Sequence, residues 1–277
     1  MGQSCLIPRL SDLLNKAADE AVLPRFRRLL RHQIEEKSAG EVVTIADRDA
    51  ERILADGLKA IYPNARIIGE EAATAAPNIL TALDEGDVWL IDPIDGTANF
   101  AAGREPFAIM IALLRNGEIM LSVIADPLSK TVLAAEKGAG AYVENVRIRV
   151  DQSAVPRPSL TGAVFTRFMP PDLRDGIASR VATVAQIVPG LMCAGAEYPA
   201  VGTGSRHFAI FWRSLPWDHA PGALFLTEAG GCVERLDGST YRPSDGRSGL
   251  LVARNRAVAD DIAQSILPAG KKSRPAF

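Results

Sequence analysis

The chemistry most legible in this sequence sits in six consecutive residues, Asp92-Pro93-Ile94-Asp95-Gly96-Thr97. Two carboxylates so close together repel one another and resist leaving water, so at the mouth of a buried strand they call for a counter-charge. A hard divalent cation supplies one, and carboxylate and backbone carbonyl oxygens are the ligands that Mg²⁺ accepts. Pro93 stiffens the turn, so that Asp92 and Asp95 converge while the Ile94 carbonyl faces the same point. Gly96 allows close backbone approach, and Gly96-Thr97, if it opens a helix, presents N–H donors to an anion. Other acids stand at the ends of expected elements: Asp47 near a helix start, Glu70-Glu71 after Ile68-Gly69, and Asp218 after Trp217. Several element ends each giving one carboxylate suit a site where two cations bridge a phosphate, acidify a water and stabilise the leaving oxygen.

The elements that must position these acids follow from periodicity and punctuation. Leu10, Leu13, Leu14 and Ala17 set a helical pattern over residues 10–37, bent or broken at Pro24. Val42 to Thr44 reads as a strand, Ala46 to Ile61 as a helix ended by Pro63, and Arg66 to Gly69 as a strand. The apolar strand Val88 to Ile91 runs directly into the acidic segment. Phe107 to Arg115 and Glu118 to Ala125 form a hairpin through Asn116-Gly117, and a second hairpin joins Thr131–Glu136 to Ala141–Asn145. The polar, proline-bearing stretch Gln152 to Pro158 is the natural boundary between residues 1–151 and 152–277. Beyond it the reading is a strand over Leu160–Phe165, a helix near Asp172–Ala185, a helix around Ser205–Trp212 and another from about Asp218. Strands at Cys232–Leu236 and Gly249–Ala253 and a helix over Ala257–Leu267 complete it, with a frayed basic tail from Lys271. A strand-rich part followed by an alternating part gives an α+β to α/β class.

Three blocks, taken in order, resemble the inositol monophosphatase family of Mg²⁺-dependent, lithium-sensitive phosphatases. They are Ile68-Gly69-Glu70-Glu71, then Asp92 to Thr97, then Trp217-Asp218 with Gly222 leading to Glu228-Ala229-Gly230-Gly231. The resemblance implies a layered αβαβα sandwich of the sugar-phosphatase type, a homodimer, and two to three Mg²⁺ per site. It implies that Glu70, Asp92, the Ile94 carbonyl, Asp95 and Asp218 hold metal, with Asp92 bridging two ions. Thr97 and Asp47 would orient and activate the attacking water, and the Gly96 and Thr97 N–H groups would hold the phosphate. The expected activity is hydrolysis of a small phosphate monoester of the inositol-1-phosphate type.

The sequence departs from the family where the substrate's alcohol would bind. Counting back from Trp217-Asp218, Phe211 stands where inositol phosphatases carry a glutamate that receives sugar hydroxyls, and their Gly-Thr pair falls near Met192-Cys193. A phenylalanine accepts no hydroxyl hydrogen bond, so the specificity pocket is expected to differ. Cys193, Glu197 with Tyr198, Arg206, Phe211 and Arg213 are the candidate substrate residues. Alternative substrates within the family are histidinol phosphate, a fructose bisphosphate or a 3′-phosphonucleotide; from another class, the alternative is a metal-binding regulatory protein without catalysis.

Blander readings apply elsewhere. An EF-hand is excluded, because Gly96 is the fifth residue from Asp92 and the twelfth is Gly103 rather than Glu. Glu71 reads as a solvated or supporting neighbour of Glu70, and Asp47 on its own as an exposed helix-start acid. His219 reads as packing beside Asp218 rather than ligating, His207 as a surface group or substrate contact, and His32 as solvated. Cys193 and Cys232 read as inert thiols in apolar surroundings. Gly202 to Ser205 reads as a tight turn and helix cap rather than a phosphate loop. The 277 residues are 47% hydrophobic and 23% charged, enough to bury a core, and 31 basic against 33 acidic side chains leave a net charge of −2. That balance disfavours nucleic acid or an anionic membrane as partner. Three cysteines without close spacing, an apolar run no longer than Phe107–Leu114 and no signal-like N-terminus set the expectation of a cytoplasmic protein.

Overall fold

A computed structural model describes residues 6–38 and 40–266 of the chain. Its helices are α1 (Ile7–Ala17), α2 (Ile45–Ile61), α3 (Glu70–Ala75), α4 (Thr97–Ala101), α5 (Pro171–Val181), α6 (Ala194–Gly202), α7 (Pro216–Glu228) and α8 (Arg256–Ile266). The strands are β1 (Ile34–Ser38), β2 (Glu41–Thr44), β3 (Arg66–Gly69), β4 (Asp87–Asp95), β5 (Ala108–Arg115), β6 (Glu118–Asp126) and β7 (Thr131–Glu136). They continue as β8 (Gly140–Val143), β9 (Val146–Ile148), β10 (Thr161–Phe165), β11 (Gln186–Ile187), β12 (Phe208–Phe211), β13 (Cys232–Arg235) and β14 (Leu250–Ala253).

These elements stack in five layers. One sheet runs β3-β4-β5-β6-β7-β8-β9, with β3 parallel to β4 and the rest antiparallel. A second runs β11-β10-β12-β14-β13, and β1 with β2 form a separate hairpin. Helices α1 and α2 cover one face of the first sheet through Leu10, Leu14, Leu54 and Leu58 against Trp89, Ile91 and Ile109. Helices α6 and α7 lie between the sheets, where Tyr198, Val201 and Phe225 meet Met110 on one side and Ala209 and Val252 on the other. Helices α5 and α8 cover the outer face of the second sheet through Ile177, Val181 and Ile262 against Phe208, Ile210 and Leu251. Because β4 and β5 are covered on both faces, their residues are buried almost without interruption. The layered αβαβα order expected from the resemblance is therefore the one observed.

Two segments depart from the periodicity reading. The helical run over 10–37 ends at Arg25, after a π turn and a 3₁₀ turn, and residues 34–38 are strand β1. Pro24 breaks the helix, and the polar Ile34-Glu35-Glu36-Lys37-Ser38 finds its ladder partner in β2. The segment read as a helix around Ser205–Trp212 contains strand β12, whose four residues are all buried between β10 and β14. A short apolar run of that kind fits a doubly covered strand as well as a buried helix, and its neighbours decide. The helix in this region is α6, which the sequence hides behind Gly195 and an internal Pro199. The basic tail and Cys5 lie outside the described residues.

Candidate functional site

The acidic segment occupies the end of β4, and the strand is distorted there. Its register with β5 is regular to Asp92↔Met110 and resumes at Asp95↔Ala108, so β4 carries one extra residue. Pro93 has no N–H to give the ladder, which favours a bulge at this point. Gly96 follows with φ +83°, a left-handed conformation that caps α4. The bulge turns Asp92, Ile94 and Asp95 into one cavity of about 340 Å³, which Glu70, Gly96, Thr97 and Asp218 also line. Glu70 comes from the start of α3 and Asp218 from the first turn of α7.

Asp47 completes this group from behind. It is the third residue of α2 and closes a capping box, its Oδ2 accepting from Thr44 N at 2.8 Å and Thr44 Oγ1 at 2.6 Å. Its Oδ1 lies 3.1 Å from Thr97 Oγ1, which is also 2.8 Å from the Ile94 carbonyl, so the one hydroxyl proton serves either acceptor. Asp47 is fully buried, not an exposed helix-start acid. Burial pushes its carboxyl up to about 6, against the pull of the Thr44 and Thr97 donors.

The electrostatics of the cluster are unfavourable on their own. Burial raises Glu70 to about 8, with Asp218, Glu71 and Asp47 pushing further and Lys37 opposing. Burial likewise raises Asp218 to about 7, helped by Asp95, and Asp95 to about 6 in spite of donors from Cys193 and Gly195. Asp92 is pushed well above the usual range by burial and then by Glu70, Asp95 and Asp218. Its Oδ1 is buried without a partner. A hard cation among these acids would satisfy that oxygen and offset the mutual repulsion, so the donor set fits a divalent metal. Among the described residues no three His, Cys, Asp or Glu side chains are already closed into a cage, and the acids face a shared space instead.

Neighbouring groups hold the acids in place. Asp95 Oδ2 accepts from Gly195 N at 2.6 Å and from Cys193 Sγ at 3.0 Å, so Cys193 is hydrogen-bonded inside the site and not an inert thiol in apolar surroundings. Lys37 bridges Glu70 Oε1 at 3.2 Å and Glu71 Oε1 at 2.5 Å, which makes Glu71 a paired neighbour of the cluster. His219 packs, as expected: its Nδ1 is 3.0 Å from Tyr198 Oη and its Nε2 3.1 Å from the Arg213 carbonyl, a pattern that fixes Nε2–H as donor. His207 pairs with Thr161 and does not line the cavity.

The candidate substrate residues divide. Phe211, Cys193 and Arg213 line the cavity. Glu197 and Arg206 do not: they form an ion pair with each other, Glu197 wholly buried, and Arg206 also donates to the Pro189 carbonyl at 2.7 Å. A carboxylate enclosed in this way and already neutralised reads the fold rather than a ligand. Sequence reasoning missed Lys37, which fell inside the over-long helix. It also missed Phe165, Arg167 and Phe168, which form a wall of the cavity with Met192.

Comparison with known proteins agrees with this geometry. The model of the inositol monophosphatase family matches residues 8–270. A fructose-1,6-bisphosphatase/inositol-1-monophosphatase of Thermotoga maritima is 32% identical over 234 residues, covering 83% of this chain and 85% of its own. A Nus factor SuhB of Vibrio cholerae is 30% identical over 251 residues, covering 87% and 88%. Among solved structures, an inositol monophosphatase of Thermotoga maritima superposes with a TM-score of 0.76 at 27% identity, covering 92% and 94%. No helix among the described residues is long and apolar enough to cross a membrane.

Proposed function

The chain belongs to the inositol monophosphatase family, whose members are metal-dependent phosphomonoesterases, and from that membership we propose that it hydrolyses a small phosphate monoester with Mg²⁺ as the metal. The observation that carries the reading is the buried, unpartnered Oδ1 of Asp92, a residue repelled by Glu70, Asp95 and Asp218 and lining the same cavity as Thr97. Glu70, Asp92, the Ile94 carbonyl, Asp95 and Asp218 would hold two to three ions. When bound, they supply positive charge to the phosphate and leaving oxygens and acidify the attacking water.

The chain's own residues orient and deprotonate that water. A water whose proton points at Thr97 Oγ1 is in line for relay, since the Thr97 proton can pass to Asp47 Oδ1 at 3.1 Å. A buried acid with its pKa near 6 suits such a base near neutral pH. The Gly96 N–H already serves the Asp95 carboxylate, and with the Thr97 N–H at the start of α4 it would hold the phosphate oxygens. The water oxygen joins phosphorus, the ester P–O bond breaks, and the leaving oxygen takes a proton to give alcohol and inorganic phosphate. Phosphate release from a panel of esters, with Mg²⁺ and with chelator, tests the reading; no metal-dependent release from any ester would overturn it. Lithium inhibition, a homodimer and cytoplasmic residence belong to the same reading, and titration with Li⁺, sedimentation and cell fractionation test them.

A further inference from the structure

Opposite the acids the cavity changes character. Phe211 is stacked between Phe165, centroids 4.6 Å apart and planes at 9°, and Tyr198 at 5.8 Å and 10°. Phe168 and Met192, on the same wall, are 42% and 51% exposed. Met192 holds φ +57°, an uncommon conformation for a side chain of its size. The wall is continuous with the anion end of the site, since a Cβ on Gly96 would lie 3.2 Å from Cys193 Cβ and 3.3 Å from the Met192 carbonyl. The two arginines on it are held by the wall and its rim: Arg167 lies 4.9 Å over the Phe168 ring and donates to the Gly40 carbonyl at 3.1 Å. Arg213 sits 4.1 Å over the Phe168 ring and is ion-paired with Glu41, which accepts from Ser38 Oγ at 2.6 Å.

A polyhydroxylated ring seated here would turn several hydroxyls toward carbon, losing water without gaining partners. A flat apolar ring would instead cover exposed carbon on both itself and the wall. We propose that the alcohol part of the substrate carries such a ring, aryl or heteroaryl, packed against Phe165, Phe168, Met192 and Phe211 while its phosphate lies at Gly96 and Thr97. The proposal deepens the phosphomonoesterase reading and rests on it.

The test compares 2-phenylethyl phosphate with myo-inositol 1-phosphate in the presence of Mg²⁺. Both are alkyl esters, so the leaving oxygens differ little in intrinsic reactivity. The expected result is a kcat/KM at least about tenfold higher for the phenylethyl ester, expressed mainly in KM, as burying a ring predicts. Phe168→Ser, at a position exposed enough to fold, lowers that preference by roughly fivefold. Phe211→Glu, if circular dichroism shows it folded, moves the preference toward the inositol ester. Equal or reversed preference in the unsubstituted protein, or a preference that Phe168→Ser leaves unchanged, overturns the proposal while leaving a phosphatase. Failure to cleave any ester of the wider panel would instead overturn the phosphatase reading, and this one with it.

Discussion

Replacing Arg206 by Met isolates a carboxylate that the fold has enclosed. The Glu197 side chain has no solvent exposure, and its partners are the Arg206 guanidinium and the Leu191 N–H at 3.0 Å. Breaking one side of a buried ion pair costs about 3–5 kcal/mol. The same change removes the Arg206 bond to the Pro189 carbonyl, adding about 1 kcal/mol. At this chain length each kcal/mol moves Tm by about 2–4 °C, so the melting temperature is expected to fall by roughly 8–24 °C. Glu197→Gln keeps an acceptor for Leu191 while removing the buried charge, and should cost only about 1–2 kcal/mol. The pair does not face the cavity, but it clamps residues 189–191, whose Leu191 carbonyl also accepts from Asn99 Nδ2 at 3.0 Å. Loosening that strap displaces Met192 and Cys193, so KM should rise more than kcat falls. Thermal denaturation followed by steady-state kinetics well below the melting point measures both. A Tm within about 3 °C of the unsubstituted protein, or a Gln variant more damaged than the Met variant, would refute the reasoning.

Other expectations follow from the same geometry. Asp92→Asn should lower turnover by at least about a hundredfold yet raise Tm in chelator, since it removes a buried charge repelled by Glu70, Asp95 and Asp218; phosphate release and calorimetry decide. Gly195→Ala would set a Cβ 2.7 Å from Ala108 Cβ and 2.9 Å from Met110 Sδ, costing about 1–3 kcal/mol by overpacking and depressing activity by shifting the N–H that holds Asp95. Thr97→Val should leave circular dichroism unchanged and reduce kcat by about a hundredfold or more, with a smaller change in KM. Asp237 is held at about 2: burial acts to raise it, but the Ser239 hydroxyl and N–H and the Arg247 guanidinium outweigh it. A carboxyl with a depressed folded pKa stabilises above its unfolded value, and that stability is lost as pH falls toward the folded one. Asp237→Asn should therefore flatten the loss of stability between pH 4 and 2, as read by acid titration of ellipticity.

How far the sequence carries depends on where the determining contacts lie. Asp92, Ile94, Asp95, Gly96 and Thr97 fall within six residues around Pro93, so their meeting at one cavity was legible. So was β4, because Trp89, Leu90 and Ile91 form an unbroken apolar run beside a proline and a glycine. Strand β12 was not, since Phe208 to Phe211 satisfy a buried helix equally well and only pairing with β10 and β14 settles the matter. Lys37 was lost for the same reason, its strand being defined by a partner across a turn. Glu197 and Arg206 were placed beside the substrate on residue type, and only three-dimensional packing shows them satisfied by each other. Asp47 on its own read as an exposed helix-start acid, and only the family resemblance put it beside Thr97, fifty residues away, where the structure buries it.

The cavity wall and the acid cluster are not independent parts. One short strap supplies both: Met192 stands on the apolar wall, while Cys193 Sγ and Gly195 N, at and just beyond it, bond Asp95 Oδ2. The Cβ that Gly195 lacks would strike β5, so the strap cannot drift without moving the carboxylate. On the far side, Arg213 reaches the wall through Phe168 while its carbonyl is held by His219, the residue after Asp218. A substitution at Met192 or Arg213 therefore reaches the acids through one covalent link and one hydrogen bond. Changes that alter which alcohol is accepted should, in this protein, seldom leave kcat untouched. Those that do should be confined to side chains such as Phe168, which touches the wall but no bond of the strap.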